Sequence, residues 1–496
     1  MNLFKQKAIF ICAGLAVLNI CIDFLVFDLH TIQGHLYVVA AEASLLMAMY
    51  KLSEPVGESE WSADGFKRFG LTIAFLAVLS LIFKILHLRV LANVTYSDDF
   101  SEIFTFAVGP LYGLASIADA RIDAIAKALF QCGMCVADEQ VPLNEPFIAY
   151  LYTAISMVAG EFNQSILWLT LHLATFFTAV ILLKIAREVY PTSRHVILVP
   201  LVYIAVFDIP AVSLYLFKDG LISLAMVALF YLNCRYLFLK NINKLLFELL
   251  SVLLIVFLYQ LRGGILTWIL SIVFISLLLD RVNWLLHIRI LLLSVLTLVV
   301  VGNTHRMVER IDRSVSLITN KVFIGSASGL DVQNLTYTTS VENSVFEKLD
   351  LNTISLSNFY YAPFVKGALY FVLPLPVNLN FGLMDVLHRL SSLIYAAGFA
   401  LFLTGAYKIL RRRRPVELYL LVVFGLAMAT ILGAGPILYP RYRILASAFF
   451  LIIAAIGASH VSAAYRNRAL GVSALMLMVL VFGYEPLYAG VQMILR

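Results

Sequence analysis

The sequence predicts an all-α bundle of about twelve to fourteen membrane-crossing helices, and three observations carry that prediction. Of 496 residues, 61% are hydrophobic and 13% charged, against roughly 25% charged in a soluble globular domain. The apolar residues fall in blocks of about twenty, the length of helix that spans a hydrocarbon core. These blocks lack the strict alternation of barrel strands, and unpaired backbone groups cannot face lipid, which leaves helices. A mean hydropathy of +0.92 provides too little polar surface for a cytosolic enzyme, a secreted disulfide scaffold or a disordered chain.

Taken in order, spanning blocks fall at 8–27, 35–51, 69–91, 146–160, 165–186, 195–217, 220–239, 245–261, 264–280, 284–302, 383–410, 416–435, 443–464 and 469–490. Segments 100–118 and 364–382 are further candidates. The first block follows Lys5 and Lys7 and lacks a small-x-small cleavage site, so it reads as a retained signal-anchor helix. Block 146–160 is short enough to be a half-helix. No internal repeat of the kind found in repeat-built transporters is visible.

The net charge of +6 does not point to nucleic acid, because the basic residues punctuate the gaps between apolar blocks and mark topology instead. Lys67 with Arg68, Lys240 with Lys244, Arg281 with Arg289, Arg411 to Arg414, and Arg466 with Arg468 alternate along the chain. Short basic loops stay cytoplasmic. This rule puts the N-terminus inside, and the loops around Tyr96 to Glu102, Arg262, residues 303–382 and Tyr439 to Arg441 outside. The two halves agree only if residues 100–160 cross an even number of times, so either 100–118 spans or 146–160 is re-entrant. The chain then divides into an N-terminal hairpin with its cytoplasmic loop (1–68), a transmembrane core with a first outer loop at 93–145 (69–302), a large outer loop (303–363) and a C-terminal helical region (364–496).

Four constellations carry chemistry. Tyr96-Ser97-Asp98-Asp99, with Glu102, follows a spanning helix. Adjacent acids there can deprotonate an acceptor hydroxyl or hold a divalent cation such as Mg2+ or Mn2+, and they also suit an N-cap and first helical turn. Lys218-Asp219 sits at the junction of two apolar blocks, where an ionisable pair is costly unless it meets the interface or a polar cavity. Its bland reading is a cap plus a snorkelling lysine. Arg262-Gly263-Gly264 places a cation in a tight turn whose glycines, but not its arginine, the turn explains. In Tyr439-Pro440-Arg441-Tyr442-Arg443, arginines open an apolar helix among aromatics. Guanidinium forks and a helix N-terminus suit a lipid-linked phosphate, and headgroup anchoring is the alternative.

Other features read as structural. Glu42 and Lys84 lie within spans and are expected to pair across the bundle, and His172 on an apolar face is expected to be a hydrogen-bonded packing residue. Cys132-Gly-Met-Cys135 has no second pair or histidine cluster that would make a zinc site. No phosphate-binding loop, dinucleotide fingerprint or nucleophile elbow is present.

The acid pair after an early span, followed by Asn144-Glu145-Pro146 and Val158-Ala-Gly160, resembles the order in the GT-C superfamily of polytopic glycosyltransferases. Phe217-Lys218-Asp219-Gly220, the Arg262 turn, Pro374-Leu-Pro376 and Pro440-Arg441-Tyr442-Arg443 are similar to bacterial membrane proteins of surface-polysaccharide assembly, including O-antigen polymerase-like chains. The resemblance covers most of residues 69–465. It implies a sugar donor on undecaprenyl phosphate or pyrophosphate, used on the outer face of the inner membrane. It also implies inverting transfer to a glycan or lipid-linked acceptor, with Asp98 or Asp99 as base near Glu102. Glu145, Lys218, Asp219, Arg262, Tyr439, Arg441 and Arg443 would then contact the substrate. A polymerase of polysaccharide repeats, or a non-enzymatic flippase for lipid-linked oligosaccharides, are the alternatives.

Overall fold

The computed structural model describes residues 3–55, 62–93, 146–214 apart from 162, 192 and 194, 219–261, 266–300, 383–433, 443–468 and 471. The described residues form helices α1 (Leu3–Val26), α2 (Ile32–Ser53), α3 (Ala63–Asn93), α4 (Pro146–Ala159), α5 (Gln164–Glu188), α6 (Val199–Ala205) and α7 (Asp208–Leu214). They continue as α8 (Asp219–Cys234), α9 (Lys244–Leu261), α10 (Leu266–Leu279), α11 (Trp284–Val300), α12 (Leu383–Arg412), α13 (Pro415–Gly433) and α14 (Ile444–Ser459). Eight are long and apolar enough to cross a membrane, while α6, α10, α13 and α14 are shorter apolar helices. The chain is a multi-pass α-helical membrane protein.

Block 195–217 is not one span. A 3-10 turn at Val196–Leu198 leads into α6, which ends at Ala205, and α7 begins only at Asp208. The break is local chemistry. Pro210 lacks an amide hydrogen, so it cannot bond back to Val206 in one continuous helix but is tolerated in the first turn of a new one, which Asp208 opens. At the end of α8 the chain widens into a π-turn over Arg235–Leu239 and stops at Lys240, which is left-handed at φ 53°. Block 443–464 likewise ends at Ser459.

Burial separates central from peripheral helices. In α14 nearly every residue from Ile444 to Ala458 is buried, because α12, α13, α8 and α6 surround it. By contrast α1 presents Phe10, Val17, Leu18 and Leu25 outward, as expected of a rim helix in lipid, where exposed apolar surface costs nothing. Helices α12 and α14 approach backbone to backbone. A Cβ on Gly457 would overlap the Leu401 carbonyl oxygen and stand 2.8 Å from the Gly405 nitrogen, and a Cβ on Gly405 would overlap the Ile453 carbonyl oxygen. Small residues let helix backbones touch where no hydrophobic effect draws them together.

Two opposite faces follow from the end-to-end contacts. On one, the α1–α2 turn binds the α4–α5 turn: the His30 amide donates to Glu161 Oε2 at 2.8 Å, Thr31 Oγ1 donates to the Ala159 carbonyl, and Asn163 Nδ2 donates to the Phe27 carbonyl. Gly160 joins these turns at φ +71°, and a Cβ there would strike Gln33. On the other face Arg187 donates to the Glu54 carbonyl, Tyr231 to Glu188, and Arg412 to His460. Arg289 pairs with Glu248 and Arg466 with His195 on the same side. The alternating basic loops of the sequence therefore share one face, here called the basic face, and the opposite one is the turn face. Both α3 and α4 end on the turn face.

Candidate functional site

Helices that end on the basic face begin on the turn face, and this places the two described members of the expected site. Asp219 opens α8 and is buried. Arg443 immediately precedes α14 and has no exposed surface. The two helices meet between Ser223, one turn along α8 from Asp219, and Ile444, the residue after Arg443. Ser223 Oγ donates to the Ile444 carbonyl at 3.4 Å, and Tyr203 shares a 2.9 Å hydrogen bond with Ser223.

The sequence has Arg443 opening an apolar helix two residues after Arg441, and the structure places its side chain inside the bundle. Its Nη1 donates to Ser392 Oγ at 2.8 Å, and its guanidinium lies 4.5 Å from the centre of the Tyr395 ring, both on α12. The Tyr395 hydroxyl in turn bonds Ser447, whose own hydroxyl donates to the Arg443 carbonyl. A desolvated guanidinium gains more from an aromatic face and a neutral hydroxyl than an exposed one does. The result is a fixed cation at the N-terminal end of a buried helix, where the helix dipole adds positive potential. Tyr152 of α4, fully buried, lies in the electrostatic field of Asp219. The turn-face ends of α8 and α14 thus carry a carboxylate and a guanidinium, and the Tyr152 phenol, midway along α4, lies in the field of the carboxylate.

Asp98, Asp99, Glu102, Glu145, Lys218, Arg262, Tyr439 and Arg441 lie outside the described residues, as do Cys132 and Cys135. In the sequence, Lys218 adjoins Asp219, and Arg441 precedes Arg443 by two residues. Among the described residues no group of three or more His, Cys, Asp or Glu side chains could hold a metal ion.

A second polar cluster lies within the bundle, where the sequence foresaw a bland pair. Lys84 of α3 donates to Glu42 of α2 at 3.0 Å, as expected, but it also pairs with Asp23 of α1. All three side chains are at most 2% exposed. Asp23 went unnoticed in the sequence although an acid inside an apolar block is itself the signal. His172 is a hydrogen-bonded packing residue, as expected. It bonds Ser80 at 3.1 Å and stacks on Trp168, whose other neighbour in the stack is His87. His87 reaches Ser165 at 3.4 Å. Ser80, Lys84 and His87 recur at helical spacing on α3, and Ser165, Trp168 and His172 do so on α5, so two polar stripes meet.

No protein-family model, curated protein or solved structure matches this chain. Its class, a multi-pass helical membrane protein with buried polar clusters, therefore rests on its own geometry.

Proposed function

We propose that the protein is a glycosyltransferase of surface-polysaccharide synthesis that takes its sugar from a polyprenyl phosphate or pyrophosphate at the turn face. This face would be the outer side of the cytoplasmic membrane by the positive-inside rule. The observation that carries the reading is Arg443, a fully buried guanidinium at a helix N-terminus on the same face as Asp219. A guanidinium set at a helix N-terminus suits an anionic leaving group, whose developing charge fixed donors stabilise.

In the proposed reaction Asp98 or Asp99 removes the proton from an acceptor hydroxyl, whose oxygen attacks the anomeric carbon from the side opposite the phosphate. The carbon–oxygen bond to the phosphate breaks, and the electron pair leaves on the phosphate, giving inversion. Arg443 and its sequence neighbour Arg441, with Lys218 and Arg262, would hold the negative charge gathering on that leaving group. Fixed donors that need no reorganisation supply the largest share of such stabilisation.

The flippase alternative draws on the Asp23–Lys84–Glu42 cluster, since charge inside the bundle is a feature of transporters. The two readings part in cells lacking the gene, complemented with wild type, Asp98→Asn, Asp99→Asn or Arg443→Ala at matched protein level. The transferase reading expects a surface-glycan ladder that loses one sugar in the deletion and stays defective with Arg443→Ala. Loss of all chains beyond a single repeat would identify a polymerase, and an unchanged ladder in the deletion would sink every glycan-linked reading.

A further inference from the structure

The interior cluster of α1, α2 and α3 has one more negative group than positive. Asp23 and Glu42 face each other within hydrogen-bonding reach and share one ammonium, Lys84. Asp23 and Glu42 have no exposed surface, and Lys84 is 2% exposed. Beyond the ion pairs, both oxygens of Asp23 and Oε2 of Glu42 are buried without a hydrogen-bond partner. Ionised carboxylates only accept hydrogen bonds, so two of them face to face have nothing to share. A net negative charge in hydrocarbon surroundings is also strongly disfavoured.

A single proton resolves both problems. It neutralises one carboxyl and supplies the donor that the facing oxygens lack, leaving one carboxylate against one ammonium. Two carboxyl groups held this close share a proton because both cannot ionise together. Among the described residues, titratable groups near the cluster include His87, one turn along α3 from Lys84, and His172 of α5, in the field of both Lys84 and His87. The Nδ1 atoms of both rings are buried without a hydrogen-bond partner. The Phe27 ring stands 5.8 Å from the Lys84 ammonium and closes the α1 side.

We propose that Asp23, Glu42 and Lys84 form an intramembrane proton-binding site in which one exchangeable proton is shared by the two carboxyl groups beside a charged lysine. The site is separate from the Arg443 cluster and does not depend on the transferase reading.

The test is infrared spectroscopy of the full-length protein in lipid nanodiscs at neutral pH, in H2O and D2O. Wild type is expected to show a protonated-carboxyl stretch, at a pH where ordinary carboxyls are ionised, that shifts on deuteration. Asp23→Asn with Glu42→Gln should remove it. Lys84→Met should roughly double its area, because without the ammonium both carboxyls take a proton. Absence of the band from folded wild-type protein would overturn the proposal without reference to any variant. So would a band that the Asp23→Asn, Glu42→Gln double variant leaves unchanged.

Discussion

Replacing Gly457 by alanine puts a methyl group where α12 and α14 touch backbone to backbone. Its Cβ would overlap the Leu401 carbonyl oxygen and stand 2.8 Å from the Gly405 nitrogen, where ordinary contact begins at 3.4 Å. The obstacle is backbone, which cannot rotate aside as a side chain can, so the helices must separate. Relieving the nitrogen contact alone needs about 0.6 Å and the carbonyl needs more, and overpacking on this scale costs about 1–3 kcal/mol. The better helix propensity of alanine offsets about 1 kcal/mol of that. The expected net loss is therefore about 0–2 kcal/mol against wild type, and about 1–3 kcal/mol against a Gly→Ala change that meets no obstacle. Gly425→Ala is the control, since nothing lies within 4 Å of the added Cβ, and it should be neutral or slightly stabilising. Gly405→Ala meets the same interface, so the double variant should lose less than the sum of the two single losses, the helices having already parted. Thermal unfolding of the detergent-solubilised protein, followed by gel filtration, reads all four. The reasoning fails if Gly457→Ala melts together with Gly425→Ala.

Breaking the interior cluster by Lys84→Met should destabilise the fold, because the carboxyl that Lys84 kept ionised must then hold a proton, at a cost of about 1.4 kcal/mol for each pH unit above its ordinary pKa, so the loss should grow as pH rises. Adding Asp23→Asn and Glu42→Gln should recover most of that in the same unfolding assay, and no recovery would show that Lys84 acts through packing. On the basic face, burial lowers the pKa of His195 and His460, with Arg466 and Arg412 adding to the effect. Each arginine only donates, so it holds the ring Nε2 of its histidine as an acceptor, with the ring neutral. A histidine whose folded pKa lies below its unfolded value contributes stability that is fully present above about pH 6.5 and is lost as pH falls below it. The melting temperature should therefore drop on acidification, and His195→Gln should flatten the slope. An unchanged slope would mean that His195 is protonated at no cost.

The helices were legible because a spanning block needs only length and apolar content, and α1, α2, α3, α5, α8, α9 and α12 appear within a few residues of where hydropathy puts them. The common face of the basic loops was legible for the same reason, since alternation of short loops fixes sidedness. The break at Val206–Phe207 was masked because both halves are apolar and only Asp208 and Pro210 mark it. Asp23 was missed because one acid barely changes the hydropathy of a long block, although its partner Lys84 lies two helices away. For the site, Asp219 and Arg443 could be placed on one face from topology alone. That Arg443 turns inward onto Ser392 and Tyr395 depends on α12, joined to α14 only through α13, and no local pattern encodes that contact.

The central claim is that the Arg443 end of the bundle binds a lipid-linked phosphate. Native mass spectrometry of the protein released from nanodiscs, with undecaprenyl phosphate titrated in against a neutral polyprenol, tests it most directly. Wild type should retain the phosphate form over the polyprenol, Arg443→Ala should lose that preference by at least about tenfold, the scale of one charge-assisted contact, and Arg443→Lys should keep part of it. Equal retention of both lipids by wild type, or an undiminished preference in folded Arg443→Ala, would contradict the account.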